Sequence, residues 1–120
     1  MPYWVLNMLN EHKNIVTALN PILPTYYELV SDSTTPKPCI TYCEQKNNQA
    51  ESADNIGYSW VGYYIKIWDD DIARVQSNAI LVDKAMREIG YKRISSTELF
   101  VDNDICKIMI YEGLGLERYE

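Results

Sequence analysis

Three cysteines and a single histidine are the side chains that could act as nucleophile and base: Cys39, Cys43, Cys106 and His12. A thiol enzyme needs a cysteine whose thiolate is stabilised beside such a base. All three cysteines fall in strand-like patterns, where a free cysteine usually behaves as a small buried hydrophobe. The histidine falls on the apolar stripe of a predicted helix. Packing roles are therefore expected, and no residue is predicted to be catalytic.

Two groups of aspartates could hold a hard cation through oxygen ligands: Asp69, Asp70 and Asp71, and Asp102 with Asp104. The first group directly precedes a predicted helix, where carboxylates cap free N–H groups and face the positive end of the helix dipole. The second lies in a predicted turn, where Asp is common. Neither group has the spacing of a calcium loop, and the cysteines form no CxxC pair. The sequence therefore predicts no metal site and no cofactor site.

The elements that position these residues fit in one domain. With 120 residues, 47% of them apolar, the chain can bury a core without disulfides or metals, so residues 1–120 are expected to form a single domain. Eleven basic and 17 acidic residues give a net charge of -6, the wrong sign for binding a phosphate backbone. No apolar run is long enough to span a bilayer, so no membrane association is predicted.

Two segments carry apolar residues at spacings of three and four, which predicts amphipathic helices over residues 3–19 and 72–89. Pro21 follows the first helix and prevents its continuation. Gly90 follows the second and can supply the left-handed residue that often ends a helix. Two i,i+4 ion pairs are expected at the second helix: Asp70 with Arg74 and Asp83 with Arg87.

Five segments predict strands: residues 22–30, 39–44, 57–68, 91–101 and 105–111. The last two are joined by a turn at residues 102–104, which predicts a hairpin. Residues 45–56 are polar and predict a long flexible loop, and residues 112–120 are expected to leave the sheet. We therefore predict an α+β fold of order α-β-β-β-α-β-β. Its mostly antiparallel sheet of about five strands has both helices packed on one face.

The strand over residues 57–68 has large side chains on both faces. Trp60, Tyr64 and Trp68 alternate with an apolar series, and Lys66 lies among the aromatic residues. The whole chain has ten Tyr and three Trp but one Phe, which combines large contact areas with polar groups. The aromatic face is therefore expected to be covered only in part, or by a neighbouring subunit.

Several short phrases give the chain a resemblance to a known family: PCITY at 38–42, GYS at 57–59, DKAMR at 83–87, GYKR at 90–93, and KIM at 107–109 followed by YE at 111–112. In their order they resemble the tail terminator, or tail completion, proteins of phages with long non-contractile tails (siphophages). The resemblance extends from about residue 19 to residue 117. It rests on the order of elements and on these phrases, and it includes no catalytic signature.

The resemblance implies a structural virion protein at the head–tail junction, assembled in the host cytoplasm. Such a protein forms a hexameric ring on the head-proximal end of the tail tube, stops tube polymerisation and presents a surface to the neck proteins of the head. Six copies of this chain would carry a charge of -36. Acidic groups around the central hole would let DNA pass without specific binding.

Two sets of residues are candidates for the contacts that such a ring needs. For the contact between subunits we expect an aromatic and apolar set: Trp60, Tyr64, Trp68, Leu114 and Leu116. For docking to the tube or lining the channel we expect the loop 45–56: Asn48, Glu51 and Asp54.

Three other functions are compatible with the sequence. A neck adaptor or head-closure protein would share the size, the ring and the acidic channel. A small acidic inhibitor that mimics DNA would suit the charge, but the acids here lie in caps and turns and not in an evenly spaced stripe. A thiol enzyme would require one of the cysteines to be reactive.

Overall fold

The computed structural model describes residues 13–28, 35–50 and 56–118, with the backbone alone for residues 46–50, 56–60 and 114–118. Two helices and five strands follow one another in the predicted order. They are α1, described over residues 13–19, β1 (Thr25–Tyr27), β2 (Cys39–Ala50), β3 (Ile56–Asp69), α2 (Ile72–Glu88), β4 (Lys92–Val101) and β5 (Asp104–Arg118). The predicted α+β class is confirmed.

The five strands form one sheet of order β1-β2-β3-β5-β4. The short strand β1 runs parallel to β2, whereas the other three pairings are antiparallel. The aromatic strand β3 therefore lies at the centre of the sheet. Among the described strands, the two margins of the sheet are β1 with the rest of β2 on one side, and β4 on the other.

One face of the sheet, which we call the helix face, packs against both helices. Alternate residues of β2, β3 and β5 point to it because side chains in a strand alternate between the two faces. The core contains these buried residues: Ile15, Leu19, Ile40, Tyr42, Val61, Tyr63, Ile65, Ile67, Ala79, Val82, Met86, Tyr91, Met109 and Tyr111. Most of the apolar driving force for folding is therefore on this face.

Helix α2 begins and ends where local chemistry predicts. The carboxylate of Asp71 accepts hydrogen bonds from the backbone N–H groups of Ala73 and Arg74, which satisfies two otherwise free donors. Gly90 follows the helix at a φ of 95°, which a residue with a Cβ rarely adopts. Both predicted ion pairs form: Asp70 with Arg74 at 3.0 Å, and Asp83 with Arg87 at 3.5 Å.

Strand limits differ from the prediction at three places. Strand β1 covers only Thr25–Tyr27 of the predicted 22–30. Residues 45–50 of the predicted loop belong to β2, and β5 continues to Arg118 although residues 112–120 were expected to leave the sheet. Both extensions pair with the first half of β3, and backbone pairing does not depend on apolar alternation. Residues 51–55, which include Glu51 and Asp54, lie outside the described residues.

Neither helix, over the part that the structure describes, is long and apolar enough to cross a lipid bilayer.

Candidate interaction surface

The sheet face opposite the helices, here called the second face, contains both aromatic and ionisable side chains. Strand register arranges it in three rows across β2, β3 and β5: Cys39, Trp68 and Cys106; Thr41, Lys66 and Ile108; Cys43, Tyr64 and Ile110. Tyr64, Lys66 and Trp68 are half-buried, whereas Thr41 is buried. The face is therefore covered in part, in agreement with the expectation from the β3 sequence.

Part of that cover comes from the chain between β1 and β2. Glu28, directly after β1, forms an ion pair with Lys66 at 2.5 Å. Lys37, just before β2, lies 5.1 Å above the ring of Trp68 and pairs with Asp104 at 2.6 Å. Two ion pairs thus join this connection to β3 and to the start of β5.

The predicted aromatic contact residues differ in how strongly their own chain holds them. The indole N–H of Trp68 donates to the Thr41 hydroxyl at 3.0 Å, and Lys37 covers its ring. Tyr64 contacts Lys66, whose ammonium lies 5.8 Å from the ring centre. Trp68 therefore has a clear role within the monomer, and Tyr64 is the more available of the two for a contact with another chain.

The remaining predicted contact residues lie where only the backbone is described. Trp60 pairs with Leu114 on one side and with Asn48 on the other. Leu116 pairs with Tyr58 in the same part of the sheet. The structure therefore brings Trp60, Leu114 and Asn48 to one level of the sheet, although they are far apart in the sequence.

The environments of the three thiols keep them protonated. Burial, together with the hydrogen bond and charge of Glu28, raises the pKa of Cys43 to about 12. Burial raises the pKa of Cys106 to about 11 and also raises that of Cys39. Since the thiolate is the nucleophilic form, these cysteines are poor candidates for catalysis. The proposed base, His12, lies outside the described residues.

The first aspartate group has its own partners at the start of α2. Asp69 is buried, and its carboxylate accepts hydrogen bonds from the backbone of Asp70 and Asp71 and from two nitrogens of Arg74. The hydrogen bonds from Arg74 are the main reason that the pKa of Asp69 is lowered, although burial opposes them. Across the described part of the chain, no cluster of three or more His, Cys, Asp or Glu residues could hold a metal.

A second exposed region, not predicted from the sequence, lies on β4 and the adjoining side of α2. Every residue of β4 is exposed, including Ile94, Leu99 and Phe100, and Phe100 reaches 82% exposure. On α2, Ile80 is 72% exposed. The sequence did contain a signal for this exposed region, since β4 has apolar residues at both odd and even positions. A strand with one buried face alternates more regularly between apolar and polar residues.

Comparison with solved structures finds a similar chain in the virion of a native gene transfer agent particle. The two chains superpose with a TM-score of 0.64 at 9% sequence identity, over 85% of this chain and 84% of that one. They share a fold. No family model matches the sequence, and no curated protein matches it.

Proposed function

We propose that this protein is a structural component of a phage-like virion, and specifically a tail terminator. In this proposal six copies form a ring on the head-proximal end of the tail tube, stop its polymerisation and join it to the neck proteins of the head. The observation that carries the proposal is the fold shared with a virion chain over most of both lengths. The sequence phrases that resemble tail terminators support the finer assignment.

The second face supports a role in assembly more than a role in catalysis. Its aromatic and aliphatic side chains are only half-buried at Tyr64, Ile108 and Ile110. Its thiols are held in the protonated form by burial. Partly exposed Tyr and Trp side chains are enriched where protein surfaces meet. We therefore keep Trp60, Tyr64, Trp68, Leu114 and Leu116 as the proposed contact between subunits.

The charge of the chain supports a ring through which DNA passes without being held. The net charge of -6 is repeated in every copy, and repulsion between acidic groups and phosphates weakens non-specific binding. In the proposal, Asn48, Glu51 and Asp54 dock on the tube or line this channel. DNA is therefore a passing molecule and not a ligand of the protein.

Electron microscopy of tail-tube protein polymerising with and without this chain tests the function. The expected result is tubes of finite length with a ring at one end when the chain is present, and longer tubes when it is absent. Tubes that grow without restraint and show no density at their ends would contradict the terminator assignment. Binding to isolated head necks in that case would instead support a head-side adaptor, which the same virion fold also suits.

A further inference from the structure

Within the described residues, the two margins of the sheet have open backbone edges of similar length. Strand β4 forms one margin, and its stretch Ser95–Val101 runs without irregularity. On the other margin, β1 covers β2 only as far as Tyr42, and the stretch Lys46–Ala50 lies beyond a register shift. Among the described residues no strand pairs with the outer edge of either stretch.

Open edges of this length have a strong tendency to pair. Each exposes a row of backbone N–H and C=O groups that another strand can satisfy, and five to seven residues equal an ordinary strand. Proteins usually protect such edges by making them short or covering them. Here β4 is exposed along all ten residues and carries Ile94, Leu99, Phe100 and Val101 in contact with solvent.

The directions of the strands favour another copy of this chain as the partner. The three antiparallel pairings β2–β3, β3–β5 and β5–β4 make β2 and β4 run in opposite directions at the two margins. A second copy in the same orientation would therefore place its β2 antiparallel to β4, which continues the pattern of the sheet. When two copies join through different edges, each copy still has one unpaired edge. Further copies can therefore add in the same way until a ring closes.

We propose that β4 of one copy pairs with the Lys46–Ala50 stretch of β2 in the next copy, so that the sheets of neighbouring subunits join edge to edge. The inference rests on the proposed ring and names its junction. It also gives Trp60 a place beside the contact, because Trp60 pairs with Asn48 and is thus one strand in from the Lys46–Ala50 edge. Side chains of the incoming β4 would lie beside that edge.

Proline substitutions distinguish an edge contact from other contacts because proline lacks the N–H that a ladder needs. In antiparallel pairs, successive residues direct their N–H groups alternately toward and away from the neighbouring strand. We would therefore compare Ser96→Pro with Thr97→Pro. The variant whose lost N–H points to β5 should have a lower melting temperature, because a hydrogen bond within the sheet is broken. The variant whose lost N–H points outward should keep a melting temperature near wild type but reduce self-association at least tenfold. Ser96→Ala and Thr97→Ala are the matched controls that keep the N–H.

A mixing experiment tests that the two edges are different. Asn47→Pro and Asn48→Pro form the corresponding pair on β2. The folded but non-associating variants of β4 and of β2 are each expected to be monomeric, yet an equimolar mixture should give dimers and nothing larger. Each dimer would join the intact β4 of one variant to the intact β2 of the other.

Light scattering or sedimentation of the full-length chain, up to about 1 mM, gives the masses for both experiments. A wild-type chain that stays monomeric, a mixture that stays monomeric, or continued dimerisation of the β2 variant that lacks the outward N–H would overturn the proposed junction. Association that is unchanged in all four proline variants would overturn it as well. If proline abolishes association but tubes still grow without restraint, the junction stands and the terminator function fails. If the proline variants still form rings that cap the tubes, the terminator function stands and the edge-to-edge junction fails.

Discussion

The buried carboxylate of Asp69 shows how one side chain can organise the start of a helix. It is 1% exposed, and its two oxygens accept two bonds from the Arg74 guanidinium and two from backbone N–H groups. Charge-assisted bonds of this kind are among the stronger ones in proteins. A carboxylate this enclosed stabilises the fold only while it remains ionised.

Replacing Asp69→Asn should therefore lower the free energy of unfolding by about 2 kcal/mol, because an amide cannot balance the guanidinium charge or accept all four bonds. Because the pKa of Asp69 is lowered in the folded state, its contribution to stability depends on pH. The contribution is complete at pH values above the ordinary pKa of Asp, and it is lost as the pH falls through the pKa of the folded state. Urea titrations between pH 7 and pH 3 should show a smaller acid loss in the variant than in wild type. Asp70→Asn, at a side chain that is 71% exposed, is the control and should change little.

The thiol of Cys43 gives a second test at the scale of single residues. With a pKa of about 12, roughly one thiol in ten thousand is ionised at pH 8, so iodoacetamide should modify it slowly. Glu28→Gln removes the negative charge that raises this pKa and leaves an uncharged, weaker acceptor for the thiol, so alkylation of Cys43 should become several-fold faster. Mass spectrometry of peptides after timed alkylation measures the rate, with Cys39, whose raised pKa has no contribution from Glu28, as the internal control. Rapid alkylation of Cys43 in the wild-type chain would reopen the thiol-enzyme hypothesis.

Among the elements, helix α2 depends on a cap that can be tested separately from the Asp69 cluster. Asp71 accepts bonds from two N–H groups of the first turn, so Asp71→Ala should cost about 1 kcal/mol of stability. Asp71→Ser keeps an oxygen at the same place and should recover most of the loss. Chemical denaturation of the three proteins measures both values. Equal losses in the Ala and Ser variants would mean that the negative charge, and not the cap, stabilises the helix.

Sequence alone predicted those elements whose limits depend on local chemistry. Helix α2 is an example, since Asp71 and Gly90 mark its ends and its apolar residues recur at helical spacing. Residues 45–50 are the opposite case. Their polar sequence has no apolar alternation, and they form a strand because β3 pairs with them through the backbone.

The second face could be predicted only in part for the same reason. Alternation along β3 correctly placed Tyr64, Lys66 and Trp68 on one side of the strand. The partner of Lys66 could not be predicted, because Glu28 is 38 residues away and its approach depends on the path of the chain after β1. The exposure of β4 likewise depends on its position at the margin of the sheet, which no local pattern specifies.

At the scale of the whole molecule, the proposed ring requires that some aromatic residues serve the assembly more than the monomer. Trp68 donates to buried Thr41 and lies under Lys37, so Trp68→Ala should cost about 2 kcal/mol of monomer stability. Tyr64 contacts Lys66 from its own chain, and it lies on β3 two residues beyond Gly62, which pairs with the first residue of the proposed junction. Tyr64→Ala should therefore cost less stability but weaken association about tenfold or more.

Two measurements on the same samples separate these roles. Denaturant unfolding at low protein concentration reports the stability of the monomer, and sedimentation over a range of concentrations reports association. Tyr64→Phe is the control, since it keeps the ring that would contact the neighbouring subunit and should assemble nearly as wild type does. If Tyr64→Ala and Trp68→Ala lose stability equally and both assemble normally, the second face serves only the monomer. Backbone pairing between the strand edges would then have to hold the ring by itself, because such pairing needs neither the Tyr64 nor the Trp68 side chain.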